Sequence, residues 1–221
     1  AVCNLLFSRL PYTATRFLSK EFEAVLRGVF KERQFDVVQL EGLYMCAYIP
    51  FIREYSSAKI AYRAHNVEYE IWARLAHETK NVLKRIYLQN LAKRVERFEK
   101  AMLNTYDYIV PITQRDADTY AQIGNTKPSF VAPTGIFVND LPQKQSLVEQ
   151  SISLFHIGAL DWSPNQQGLV WFIQHCLPQI RSQFPDIQLF VAGRNAPSWF
   201  VEQLQVPGVV YEGEVPDAYE F

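Results

Sequence analysis

The chain of 221 residues carries 22 Lys and Arg against 23 Asp and Glu, and 48% of its residues are hydrophobic. This apolar content suffices for a buried core and argues against disordered and fibrous structure, and a formal net charge of -1 argues against a nucleic-acid partner. Cys3, Cys46 and Cys176 are far apart in apolar settings, which predicts reduced, buried thiols in a cytoplasmic protein.

The first part of the chain alternates between helical and strand-like patterns. Apolar residues at helical spacing predict helices at 14–33, 43–55 and 67–104, the last with a break near Asn81. Thr113 is a suitable cap for a shorter helix. The shorter segments are helix 114–123 and the strands 36–40, 59–63, 108–111 and 129–132.

A composition change separates this part from the rest. We predict a Rossmann-like domain at 1–138, a linker at 139–151 and the start of a second such domain at 152–221. Strand–helix–strand repetition implies right-handed crossovers, and therefore an α/β fold with a parallel sheet in each domain. The second domain has predicted strands at 153–157, 188–191 and 209–211 and helices at 166–183 and 197–203.

Polar residues follow two strands of the first domain. Ligands bind at the carboxyl ends of parallel strands, so Glu41 with Gly42 and His65 with Asn66 are candidates for a site. The His65 imidazole could contact a sugar hydroxyl or a phosphate, or His65 and Asn66 could only cap the next helix. Glu41 could bind hydroxyl groups of an acceptor or be a solvated loop acid.

Glycine and polar residues also end the strands of the second domain. Gly158 permits close approach of the backbone to a ligand, and the Arg194 guanidinium can pair with a diphosphate or form a surface ion pair. Asp161 and Asn165 could bind or only organise their turn. Backbone groups of 211–215 could meet a nucleotide base.

Several segments, in this order, resemble those of a group 1 glycosyltransferase of the family 4 type over nearly the whole chain. The resemblance implies the GT-B fold, in which the first Rossmann-like domain handles the acceptor and the second binds a nucleotide-sugar donor. It implies a retaining transfer to a saccharide or lipid-linked acceptor, without a catalytic metal or a cofactor. The segments include HNVEYEIW, SFVAPTGIFVND, FHIGALDWSPN, LFVAGRN and GVVYEGEVPD.

The resemblance also assigns roles. His65 matches the histidine that faces the transferred sugar and is the predicted catalytic residue. Gly158 matches the glycine of the donor-diphosphate loop, and Glu214 and Val215 fall where main-chain groups hold the base. The remaining predicted site residues are Asp161, Asn165 and Arg194 on the donor side and Glu41, Gly42 and Asn66 on the acceptor side.

The chain lacks two cationic side chains that many members of this family have. Ala159 stands where many relatives have Arg, and 165–167 is Asn-Gln-Gln in the region of a Lys. Arg194, or the amide groups at the helix start after Pro164, would replace those charges. The family's first Gly-rich loop and its later glutamate pair are missing, so we expect a chain truncated at both ends that is inactive by itself.

Two other function classes stay open, a nucleotide-sugar 2-epimerase of the same fold and a non-catalytic sugar- or nucleotide-binding module. No apolar run reaches transmembrane length. The segment 80–100 is rich in Lys and Arg beside Leu83, Ile86, Tyr87, Leu91, Val95 and Phe98. It is either a peripheral contact with the inner face of the membrane or a solvated face over a core stripe.

Overall fold

Two three-stranded parallel sheets organise the computed structural model, which describes residues 4, 8, 10–135, 152–218 and 221. Each sheet belongs to its own unit, Ala1–Gly135 or Ile136–Phe221. The predicted α/β class with a parallel sheet in each part is therefore confirmed. The predicted linker at 139–151 lies outside the described residues.

In the first unit the strand order is β1-β2-β3, and β2 lies in the middle of the sheet. Its side chains Ile60, Tyr62 and Ala64 are almost completely buried. The strands are β1 (Val37–Glu41), β2 (Lys59–Ala64) and β3 (Tyr108–Pro111). The helices are α1 (Tyr12–Thr15), α2 (Lys20–Glu32), α3 (Ile49–Tyr55), α4 (Glu68–Glu78), α5 (Val82–Met102) and α6 (Gln114–Gln122), with a 3-10 helix at Leu43–Tyr48.

The structure corrects the predicted helix at 14–33. It is interrupted before α2, because the Ser19 hydroxyl accepts a hydrogen bond from the Phe22 amide at 3.2 Å and so starts a new helix. The predicted strand at 129–132 is reduced to a parallel bridge between Ile109 and Ser129, beside which the Phe130 and Ala132 amides donate to the carbonyls of Ile109 and Pro111. Pro111 of β3 has no N–H group to donate in return, so the ladder does not continue.

The second unit repeats the arrangement, with strand order β4-β5-β6. Its predicted helix at 166–183 begins earlier and is divided at Cys176, two residues before Pro178, whose missing N–H group does not support a continuous helix. The elements are β4 (Ser153–Ile157), α7 (Ser163–His175), α8 (Leu177–Gln183), β5 (Gln188–Ala192), α9 (Ser198–Leu204) and β6 (Val209–Gly213).

The apolar residues of segment 80–100, which the sequence suggested for membrane contact, fall into a buried group and an exposed group on helix α5. Leu91, Val95 and Phe98 are buried in the core of the first unit, whereas Leu83 and Ile86 in the first turns remain 80% and 57% exposed. Peripheral membrane contact therefore stays a prediction for those first turns alone. Within the described ranges, no helix is both long enough and apolar enough to cross a bilayer.

Candidate functional site

The first sheet brings two of the predicted acceptor-side positions into contact. Strands β1 and β2 are parallel neighbours with Glu41 opposite Arg63, so the residues that follow them meet at one edge. The Glu41 Oε2 atom lies 2.7 Å from His65 Nε2 and 3.9 Å from Arg63 Nε. Both partners of the shorter contact are about half exposed. The hydrogen bond with His65 lowers the pKa of the Glu41 carboxyl.

Gly42 and Asn66 lie at the same edge of the first sheet and form hydrogen bonds there through their backbone atoms. Gly42 turns the chain with φ 86, and its amide donates to the Arg63 carbonyl at 3.0 Å. The Asn66 carbonyl accepts from the Tyr120 hydroxyl at 3.0 Å. The alternative in which His65 and Asn66 cap the next helix is wrong, because Glu99 on α5 supplies the cap.

Glu99 is the residue of this region that the sequence analysis missed. Its carboxylate is 1% exposed and accepts from the amides of Glu68 and Tyr69, both at 3.1 Å, in the first turn of α4. The Tyr120 hydroxyl lies 2.6 Å from the same carboxylate. Burial raises the pKa of Glu99 to about 6, even though these donors favour its ionised form.

This carboxylate supports the segment that carries His65. It fixes the start of α4 directly, and through Tyr120 it lies next to the Asn66 carbonyl. The sequence did contain a signal: Glu99 follows Val95 by four residues and Leu91 by eight, which places it on the buried face of α5.

At the carboxyl edge of the second sheet, backbone contacts connect the three loops. The Gly193 amide donates to the Gly213 carbonyl at 2.7 Å, and the Leu160 amide donates to the Arg194 carbonyl at 3.0 Å. Gly193 approaches the first loop so closely that an added Cβ atom would lie 1.8 Å from the carbonyl oxygen of Gly158. Only glycine fits there.

A cavity of about 220 Å³ opens at this edge. It brings together Gly158, Arg194, Glu214 and Val215, four of the predicted donor-side residues. The Arg194 side chain is exposed, and within 152–218 it has no carboxylate at ion-pair distance, unlike the surface pair considered from the sequence. The remaining residues that line the cavity are Ile157, Ala159 and Gly193.

The other two predicted donor-side residues hold the loop rather than line this cavity. The Asn165 amide group donates to the Ala159 carbonyl at 2.9 Å, and Asp161 accepts from the Asn195 side chain at 3.4 Å. The helix start offers little to an anion, because Pro164 has no N–H group and the backbone amide of Asn165 donates to the Trp162 carbonyl. A role of Arg194 in place of the missing cations stays a prediction.

His156, near the end of β4, was also missed. Its Nε2 atom is buried and has no hydrogen-bond partner among the described residues, and burial lowers the pKa of the imidazole. An added Cβ atom on Gly158 would lie 3.4 Å from this nitrogen. A polar residue inside an apolar strand, two residues before Gly158, was the available signal.

Comparison with known proteins gives one curated relative. No family model matches the chain. An uncharacterised 44.6 kDa protein in the cps region of Klebsiella pneumoniae is 24% identical over 188 residues, which are 85% of this chain and 46% of that protein. The chain therefore spans about half the length of this relative.

Several solved structures are also similar to the chain. Sucrose-phosphate synthase from Thermosynechococcus elongatus has 14% identity and a TM-score of 0.54, over 90% of this chain and 52% of that one. The trehalose-6-phosphate protein from E. coli bound with UDP-2-fluoro glucose has 13% identity and a TM-score of 0.52 over the same shares.

A variant of S. aureus TarM, in complex with fondaparinux, alpha-GlcNAc-glycerol and UDP, has 9% identity and a TM-score of 0.53, over 87% of this chain and 36% of that one. These neighbours are glycosyltransferases of the GT-B type. At such low identity the likeness identifies the fold, and the two parallel sheets match the Rossmann-like domains of that fold.

Proposed function

We propose that the protein is a glycosyltransferase that moves a sugar from a nucleotide-sugar donor to a saccharide or lipid-linked acceptor. The observation that carries this proposal is the cavity at the carboxyl edge of the second sheet, lined by glycine backbone and the Arg194 side chain. Two of the structural neighbours, bound with UDP-2-fluoro glucose and with UDP, support a nucleotide-sugar as the ligand.

The cavity chemistry suits a diphosphate. Glycine at 158 and 193 places no side chain between a ligand and the backbone, but the amides of both residues already donate to the carbonyls of Ala192 and Gly213. The charged contact therefore comes from Arg194, since a guanidinium forms charge-assisted, bidentate hydrogen bonds with phosphate oxygens. At about 220 Å³ the cavity is smaller than the roughly 300–1,000 Å³ of complete ligand sites. It would therefore hold the diphosphate, with Glu214 and Val215 beside the base.

In the proposed transfer, the bond between the anomeric carbon and the diphosphate oxygen breaks and its electron pair leaves on the diphosphate. The acceptor hydroxyl forms the new bond to the anomeric carbon, and its proton passes to the oxygen of the leaving diphosphate. Arg194 stabilises the charge that develops on the leaving group, which is the contribution a metal ion makes in other transferases. Retention of configuration, which the family resemblance implies, and independence from a metal are part of the proposal.

On the acceptor side, the hydrogen-bonded pair of His65 and Glu41 is the proposed contact for sugar hydroxyls. Both side chains are about half exposed, and an imidazole and a carboxylate together offer a donor and acceptors. The Glu99 cap at the start of α4 keeps the His65 segment in one conformation. In this arrangement His65 is the catalytic residue and Glu99 a positioning residue.

The test is acceptor-dependent release of nucleoside diphosphate by the full-length protein, with EDTA present, from UDP-glucose, UDP-GlcNAc and GDP-mannose in turn. We expect one donor to be turned over, and we expect Arg194→Ala and His65→Ala each to reduce the rate by about 100-fold or more. Formation of an epimerised nucleotide-sugar without acceptor would instead identify an epimerase. Donor binding without any turnover would identify a binding module.

A further inference from the structure

A groove separate from the donor cavity runs between two helices of the second unit. Ser163, Gln167, Trp171 and Gln174 recur at intervals of three or four residues along α7 and therefore share one face of that helix. Trp199 and Gln203 do the same on α9. Together with other residues of these helices they enclose about 420 Å³, which is within the range of roughly 300–1,000 Å³ for ligand sites.

The two indole rings of the groove are exposed. Trp171 is 58% exposed and Trp199 is 52% exposed. Each ring contacts an aromatic neighbour in its own helix, Trp171 with His175 at 5.8 Å and Trp199 with Phe200 at 5.7 Å between ring centroids. Exposed aromatic rings held in place in this way are typical of surfaces that bind a ligand.

The polar residues of the groove are uncharged. Gln174 and Gln203 contribute side-chain amides, and Ser163 contributes a hydroxyl, so the groove contains both hydrogen-bond donors and acceptors. Among the described residues, no Asp, Glu, Lys or Arg lines it. By contrast, a cavity of about 590 Å³ in the first unit is lined by Arg94 and Arg97. An anionic ligand would leave its charge without a partner in the Trp171–Trp199 groove.

We propose that the Trp171–Trp199 groove binds a neutral oligosaccharide. A sugar ring has an apolar C–H face that can lie on an indole and a rim of hydroxyls that pair with amides, which matches both halves of the lining. A peptide segment or a second copy of the chain would bring charged side chains to a surface without countercharges. The proposal concerns a second saccharide site and does not depend on sugar transfer.

The test is titration of the protein with maltohexaose and with cellohexaose, followed by tryptophan fluorescence and calorimetry. We expect one of them to saturate the protein with a dissociation constant of about 0.1–1 mM. We expect Trp171→Ala and Trp199→Ala each to weaken binding by about tenfold or more. Trp162→Ala is the matched control, since Trp162 is 60% exposed but lies outside the groove, and it should keep the affinity.

Gln174→Ala is a milder variant that also weakens binding if the proposal holds, and thermal melts confirm that each variant is folded. Failure of both sugars to saturate the protein at about 10 mM would overturn the proposal. So would an affinity that Trp171→Ala and Gln174→Ala leave unchanged. A concentration-dependent dimer that dissociates in the Trp variants would overturn it in favour of a second copy in the groove.

Discussion

The carboxyl edges of the two sheets form their candidate binding surfaces from different chemical groups. The first edge presents ionisable side chains, with Glu41 and His65 in a hydrogen bond, and a buried carboxylate from a distant helix holds the segment that carries them. The second edge presents backbone, with Gly193 pressed against Gly158 and one exposed guanidinium beside them. Function at the first edge should therefore depend on a pair of ionisable side chains, and at the second on glycine backbone together with a single guanidinium.

The largest expected effect is that of Gly193→Ala. The added Cβ atom would lie 1.8 Å from a backbone oxygen that cannot move without displacing the first loop, so we expect a loss of about 3 kcal/mol in the free energy of unfolding. Urea unfolding measures this loss of stability. Gly168→Ala is the control, because nothing lies within 4 Å of its added Cβ atom in α7, and it should be neutral or slightly stabilising. Equal stability of the two variants would contradict the close approach.

Glu99→Ala should destabilise the first unit by about 2–3 kcal/mol. It leaves the amides of Glu68 and Tyr69 without their acceptor in a buried place. Glu96→Ala removes an exposed acid of the same helix that pairs with Lys100, and it should change stability by less than about 1 kcal/mol. Chemical denaturation of both variants measures these changes in the free energy of unfolding. Equal losses in the two variants would refute the capping role of Glu99.

The same carboxylate predicts a dependence of stability on pH. Because the pKa of Glu99 is raised in the folded state, to about 6, the folded protein binds more protons than the unfolded chain between about pH 4.5 and 6. Its contribution to the free energy of unfolding is therefore complete below that window and falls by about 2 kcal/mol as the pH rises through it. Comparing stability across this window in the wild type and Glu99→Gln isolates the effect. A larger decline in the variant would show that the sign is wrong.

The smallest expected effect concerns the exposed pair of the first edge. In His65→Ala the Glu41 carboxyl loses the hydrogen bond that lowers its pKa, so its pKa should rise toward that of an ordinary glutamate. Carbon-detected NMR of the Glu41 carboxyl during a pH titration of the wild type and the variant measures this. A Glu41 titration that is identical in both proteins would mean that the pair does not form in solution.

The contrast between the edges also explains what sequence alone could predict. Parallel strands place their carboxyl ends together, so Glu41 could be assigned to the edge of His65, and Gly158 to that of Arg194, before any coordinates. Glu99 could not, because its cap connects positions 31 residues apart and depends on how α4 packs on α5. The interruption at Cys176 was missed for a local reason, since Pro178 stands inside a pattern that otherwise continues as a helix.

The most direct test of the central claim is an amide-resolved NMR titration of the protein with UDP, repeated for Arg194→Ala. The account predicts saturable shifts at Gly158, Gly193 and Glu214, none at His65, and a dissociation constant about tenfold or more higher in the variant. Shifts confined to the first sheet, or an affinity that the variant leaves unchanged, would contradict a donor site at the carboxyl edge of the second sheet.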